Sequence, residues 1–392
     1  MNRLICLIII SLTAPGCGKY IADFPVRPCG EPKSSPGVYS KAAALEKALD
    51  ELTRKGAPGV VMAVQSGEGL WTMARGYARI EDRTPMQTCH LQYLQSISKT
   101  YLAVSILKLA EQGRLVLDKP ITAYLPIKYR QFIPQSDKIT VRMLLNHSSG
   151  IAEYNFVPAY VSFLLQHPLH DFKTADYLGY IKGKKLVFVP GSRHLYTNTN
   201  YLLLSLIADS LAGNHAGLIS QTIFKPLGLA HTFYRNDTGY LLYPQLVNSY
   251  WDRYGNGILE NISQMQRINV STLTGDDGIV TTPADAVSFL KALAEGRLLG
   301  DSTLKEMQTW IKNKKGKPVY GLGLNRREID GFEAFGHSGG GIGAGAELYY
   351  FPEKKLCYFI AVNLGTVTSS PLDLQLEKSL DKIYRILLDL DN

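Results

Sequence analysis

Ser96-Ile97-Ser98-Lys99 heads a segment whose apolar residues recur at helical spacing. Leu102, Ile106, Leu109 and Ala110 form one stripe, and Gly113 ends it, so residues 98–112 read as a helix. Residues three apart on the first turn of a helix are neighbours, so the Lys99 amine can approach the Ser96 hydroxyl. A serine is a weak nucleophile until a base takes its proton. A lysine is such a base only where burial or nearby positive charge lowers its pKa. A helix start also aims backbone N–H groups and the positive dipole end at a developing oxyanion. Ser-x-x-Lys recurs by chance in many chains, so the tetrad acquires meaning only from its surroundings.

Upstream, Leu45, Leu49 and Leu52 make residues 40–55 an amphipathic helix. Val60-Val61-Met62-Ala63-Val64, the turn Gly67-Glu68-Gly69 and the run from Leu70 to Tyr77 read as a hairpin. Downstream, residues 115–270 are rich in Leu and Tyr at helical spacing, as in Tyr201 to Leu211, and carry no convincing strand pairs. Thr282-Pro283-Ala284-Asp285 combines an N-cap, a first-turn proline and an acid, opening a helix through Ala294. Glu347 to Phe351 and Leu356 to Val362 flank Pro352-Glu353-Lys354-Lys355 as a second hairpin. Leu372, Leu376, Leu380, Ile383 and Leu387 stripe a closing helix. The expected class is α+β. Residues 40–114 and 271–392 share one antiparallel sheet flanked by helices, and 115–270 is a mostly helical inserted domain.

Two further motifs bear chemistry. Tyr196-Thr197-Asn198 lies in a loop just ahead of a helix, where residues two apart point the same way. A phenol near cations is a candidate base and proton shuttle, and the Asn198 amide can grip a substrate amide. His337-Ser338-Gly339, followed by Gly340, offers a strand edge with little bulk on which a substrate backbone can pair. The Gly340 N–H is a candidate second oxyanion donor, and His337 is placed to position Tyr196 or to bring charge. The run Gly339-Gly340-Gly341-Ile342-Gly343-Ala344 also fits a nucleotide fingerprint, but a strand follows it where that fingerprint needs a helix. His167-Pro168-Leu169-His170-Asp171 lacks the spacing of a metal site and reads as a loop. No cofactor or metal is expected.

The chain has 392 residues, a formal charge of +8 and 45% hydrophobic content, the profile of a soluble globular protein. Lys and Arg are dispersed, with a longest cluster at Lys312 to Lys317, and no nucleic-acid signature accompanies them. The expected partner is a small-molecule or peptide substrate. Met1-Asn2-Arg3 and the apolar run Leu4 to Ala14 read as a signal peptide within 1–17, too short for a permanent span. Ala14-Pro15-Gly16-Cys17 resembles a lipobox, making Cys17 a lipidation candidate and a lipid the expected membrane contact. Residues 18–39, rich in Pro, Gly and Ser, read as a flexible tether. The five cysteines make no disulfide framework, although Cys29 and Cys89 can bridge in an oxidising compartment, and Cys357 reads as a core residue. The expected location is extracytoplasmic.

Taken in order, Ser96-x-x-Lys99, Tyr196-x-Asn198 and His337-Ser338-Gly339 resemble the β-lactamase-related serine hydrolases. That group includes class C β-lactamases, low-molecular-mass penicillin-binding proteins, D,D-peptidases, D-aminopeptidases and esterases. Leu144-Leu145-Asn146-His147-Ser148-Ser149-Gly150-Ile151 and Tyr320-Gly321-Leu322-Gly323 extend the likeness over about residues 40–390. The resemblance implies an acyl-enzyme on Ser96, proton transfer by Lys99 and Tyr196, and acyl-amide binding by Asn198. It also implies an oxyanion hole from the Ser96 and Gly340 N–H groups. His337 stands where most true β-lactamases carry Lys, which favours a peptide or ester over a β-lactam. The alternatives are a class C β-lactamase and a non-catalytic wall-binding protein with the same fold.

Overall fold

The computed structural model describes residues 24–29 and 39–390. The signal segment, Cys17 and most of the expected tether therefore lie outside the described residues. The elements that position the site are α1 (Ala42–Arg54), β1 (Gly59–Ser66), β2 (Gly69–Arg79), β3 (Thr84–Pro85), α2 (Ser98–Glu111), α3 (Asn198–Ala212) and α4 (Pro283–Ala294). They continue with β4 (Ile311–Lys312), β5 (Pro318–Tyr320), β6 (Asn325–Ile329), β7 (Phe332–Gly340), β8 (Gly345–Phe351), β9 (Leu356–Val362) and α5 (Pro371–Leu388).

The nine strands form one sheet in the order β3-β2-β1-β9-β8-β7-β6-β5-β4. The N-terminal hairpin and the C-terminal strands join through the antiparallel pair β1–β9, with Val60 opposite Val362 and Gln65 opposite Cys357. Alternation along β1 explains its unbroken apolar run. Val60, Met62 and Val64 pack with Leu45, Leu49 and Leu52 of α1 and Ile383 and Leu387 of α5. Val61 and Ala63 turn to the opposite face, towards Leu102 and Ile106 of α2 and Phe289 and Leu290 of α4. A strand covered on both faces loses the polar half of its pattern. Each fully buried side chain of this size contributes ~1.5–3 kcal/mol.

Helix α2 is apolar nearly all round because it is wrapped, and buried residues run from Ser98 to Leu107. The 115–270 block contains α3 and a set of shorter helices. It also contains strand pairs that the sequence reading missed. Thr232–Phe233 joins Val280–Thr281 and Gln92–Tyr93 in a three-stranded sheet, and Tyr250–Trp251 pairs with Glu260–Asn261. Strands two residues long show no alternation to read.

The tether expectation is corrected at its described part. Residues 24–29 are docked: Val26 is buried, Arg27 N–H donates to the Pro244 carbonyl at 2.7 Å, and Arg267 lies over the Phe24 ring. Cys29 is joined to Cys89 by a disulfide. Proline-rich composition marks an absence of helix and strand, and a disulfide with one apolar anchor orders such a segment all the same. Cys357 is buried and free, with its thiol pushed up by burial.

Candidate active site

Ser96 sits in a short 3-10 turn, Gln95–Ile97, immediately ahead of α2. Residues three apart eclipse in a 3-10 turn, which brings Lys99 directly over Ser96. Lys99 Nζ donates to Ser96 Oγ at 2.8 Å and to the Asp276 carbonyl at 2.7 Å. Lys99 is fully buried, whereas Ser96 alone among residues 91–100 keeps partial exposure. The preceding residue, Gln95, has φ +50°, a left-handed conformation that a side chain adopts at a cost.

Loop 276–279 fixes the start of α2 from below. Besides the Asp276 carbonyl, Ile279 N–H donates to Ser98 Oγ at 3.2 Å and Leu94 N–H to the Ile279 carbonyl at 3.0 Å. From the other side, β7 lies against the turn. A Cβ on Gly339 would come within 2.2 Å of the Leu94 carbonyl oxygen, so only glycine lets the strand approach Ser96 this closely. The β6–β7 ladder ends at Asn325–Gly336, and residues 337–340 then pair with β8 alone among the described strands. This is the low-bulk edge that the glycines predict, facing the nucleophile turn. Ser338 and Gly340 contribute to it through the backbone. The Ser338 side chain lines a cavity of about 230 Å³ between the sheet and α5.

Tyr196 precedes α3, whose first residue is Asn198. The Tyr196 ring stands 5.3 Å from Lys99 Nζ. Its hydroxyl is buried and faces the side chains of Lys99 and Ser96, though without a hydrogen bond of good geometry. Burial pushes the phenol up and Lys99 pulls it down, with burial prevailing. Burial pulls the Lys99 ammonium down, but Tyr196 and Asp276 outweigh it and the net shift is upward. The two groups titrate as one unit.

His337 departs from one expectation. It is buried, and desolvation, with Lys99 nearby, pushes its imidazole down to about 3, so it brings no charge. Its Nδ1 lies 2.6 Å from the Ser338 carbonyl and must be the donor there, which leaves Nε2 to accept from Tyr320 Oη at 2.9 Å. A cation in this position would face Lys99 without a counter-charge.

Several site residues went unassigned in the sequence. His147 was visible only as part of a loop motif. It is wholly buried, and its ring lies 4.3 Å from Tyr196 and 4.7 Å from Tyr320. Glu153 accepts from the Asn198 and Asn155 N–H groups, and burial holds its carboxyl above the usual range. Asp276 and Asp277 lie beneath Lys99, and burial raises both, Asp277 to about 7. Acids with no regular spacing to a partner leave no motif to find. His167 and His170 pack instead on the Phe163 ring.

Comparison with known proteins agrees with this geometry. A family model described as Beta-lactamase matches residues 42–380. The mitochondrial serine beta-lactamase-like protein LACTB of Homo sapiens is 25% identical over 413 residues, covering 80% of this chain and 73% of its own. A D-aminopeptidase of Gluconobacter oxydans is 25% identical over 337 residues, covering 83% of this chain and 59% of its own. Among solved structures, a D-stereospecific amidohydrolase from a Streptomyces species superposes with a TM-score of 0.73 at 27% identity, over 86% of this chain and 98% of that one.

Proposed function

Because the chain belongs to the beta-lactamase family of serine hydrolases, we propose that it cleaves D-amino-acid amides or peptides, cell-wall stem peptides among them, through an acyl-enzyme on Ser96. The observation that carries this reading is the 2.8 Å contact between Lys99 Nζ and the partly exposed Ser96 Oγ. The D-aminopeptidase and D-stereospecific amidohydrolase relatives support the substrate class. Exposed apolar side chains on the segments around Tyr196, Phe156, Val189 and Leu195, favour a substrate with an apolar side chain.

In the proposed reaction Lys99 stays an ammonium and holds Ser96 Oγ. Tyr196 accepts the serine proton as it gives its own to the departing nitrogen, so a neutral phenol suffices and no net charge moves. The oxyanion takes the Ser96 and Gly340 N–H groups, each such donor being worth ~3 kcal/mol in the barrier. Asn198 grips the acyl amide. Water then reverses the relay, giving its proton to Tyr196 while Ser96 recovers one from it. The neutral, buried His337 offers no cation for a β-lactam carboxylate, which disfavours a β-lactamase. The Cys29–Cys89 disulfide and the signal-like N-terminus support an extracytoplasmic location, with a lipid on Cys17 as the proposed anchor.

The test incubates the mature protein with D-alanine p-nitroanilide, a fluorophosphonate and a fluorescent penicillin, followed by intact mass. Anilide turnover, a fluorophosphonate adduct and at most a slowly hydrolysed penicilloyl adduct are expected, all lost in Ser96→Ala at nearly unchanged melting temperature. Rapid penicillin turnover establishes a β-lactamase instead, and folded protein with no adduct at all establishes a non-catalytic role.

A further inference from the structure

His147 is built into the site more tightly than a packing residue requires. Its φ is +60°, in the left-handed region, so the loop 146–150 bends at a cost in order to present it. Its carbonyl accepts from Leu195 N–H at 3.0 Å. Its Nδ1 lies 3.3 Å from Thr197 N. A backbone N–H only donates, so Nδ1 is the acceptor and the proton resides on Nε2. Asn200 agrees with this assignment. Its Oδ1 is taken by Ser149 Oγ at 2.7 Å, which turns its Nδ2 towards His147 Nδ1 at 3.3 Å.

Thus one residue grips the N–H groups on both sides of Tyr196, as a neighbouring strand grips residues i and i+2. The His147 ring then covers the Tyr196 ring at a centroid distance of 4.3 Å and a tilt of 37°. Tyr196 has no strand partner among the described strands, and its hydroxyl makes no hydrogen bond of good geometry. The position of the phenol is therefore set by His147 on one side and by Lys99 on the other. Burial keeps the imidazole neutral, as an acceptor at Nδ1 requires.

We propose that His147 is the positioning residue for the Tyr196 phenol, holding it at the reach needed to protonate the departing nitrogen. The proposal rests on the reading of Ser96 and Tyr196 as the reacting groups. It predicts a leaving-group dependence. A p-nitrophenyl ester departs as a stable anion and needs no proton, whereas an anilide or amide needs one. In His147→Phe the ring remains but the acceptor is gone. A displacement of ~1 Å costs about 100-fold in such steps, so anilide kcat should fall about 100-fold with KM little changed. The ester still needs Tyr196 to take the serine proton and to activate the water, so its kcat should fall too, but by roughly 10-fold less than the anilide's, because its leaving group needs no proton. His147→Asn supplies an acceptor oxygen where Nδ1 stood and tolerates a left-handed φ, so it should recover most of the anilide-to-ester ratio.

The experiment measures kcat and KM for D-alanine p-nitroanilide and the matching p-nitrophenyl ester in wild type, both variants and Ser96→Ala, with melting curves for each. A selective loss on the anilide in His147→Phe, restored in His147→Asn, sustains the inference. Equal losses on both substrates, or none, overturn it. If His147→Phe does not fold, His147→Gly, which tolerates the left-handed φ and lacks the acceptor, is read by the same criteria. Activity surviving in Ser96→Ala would refute the underlying reading of the site instead.

Discussion

The two faces of the central sheet each bury a cluster of titratable side chains, and the two clusters differ in how fully they are hydrogen-bonded. On the α5 face, Glu347 is saturated. Its Oε1 takes Arg327 at 2.8 Å, and its Oε2 takes the hydroxyls of Tyr358 at 3.0 Å and Tyr384. Arg327 also donates to Tyr384 at 2.6 Å and lies over the Tyr349 ring. On the α2 face, Tyr196 Oη, His147 Nε2, His194 Nε2 and Asp276 Oδ1 are buried without a hydrogen-bond partner. A buried polar atom without a partner costs ~1–3 kcal/mol. Satisfied networks hold a structure together.

Breaking the contrast begins on the open side. Tyr196→Phe removes the proposed proton relay and should lower anilide kcat by ~10²–10⁴-fold. It also removes an unpartnered hydroxyl, so the melting temperature should hold or rise. A kinetic assay paired with a melting curve reads both, and lost stability with intact activity would reverse the assignment of the two faces. On the closed side, Glu347→Ala leaves Arg327 facing buried phenols without its carboxylate and should cost ~3–5 kcal/mol in chemical denaturation. The protein that remains folded should keep its kcat, since none of these groups touches Ser96.

A third region sharpens the comparison because it is covalent. The disulfide closes a loop of sequence separation 60, and the Cys29→Ser/Cys89→Ser pair should lose ~2–4 kcal/mol. Activity should survive, and limited proteolysis should open residues 24–29 first. The last expected effect is on pH dependence. The unfolded His337 takes a proton near 6.5 and the folded one only near 3. A depressed histidine contributes stability above pH 6.5 that is lost as pH falls from there towards 3, because only the unfolded chain binds the proton. His337→Asn should flatten this limb of the stability curve, and an unchanged limb would show that His337 is charged when folded.

Much of the fold was legible because its elements are periodic. Leu45, Leu49 and Leu52 announce α1, and the run from Val60 to Val64 announces a strand covered on both faces. The nucleophile tetrad was legible as well, since a spacing of three is a local fact. What escaped was of two kinds. Thr232–Phe233 and Glu260–Asn261 are too short to carry a pattern. Asp276, Glu153 and the grip of His147 on Leu195 and Thr197 depend on which distant loops meet, and one chain read in order does not state this.

The sequence by itself determined the family, the sheet with its flanking helices, and the serine, amine, phenol and strand edge of the candidate site, because each rests on residue type and near-neighbour spacing. Tertiary structure alone decided the direction in which those groups' pKa values move and the hydrogen bonding of each cluster. A pKa and a missing partner both follow from burial and from neighbours about fifty to nearly two hundred residues away in the chain, as Lys99 with Asp276 and His147 with Thr197 show.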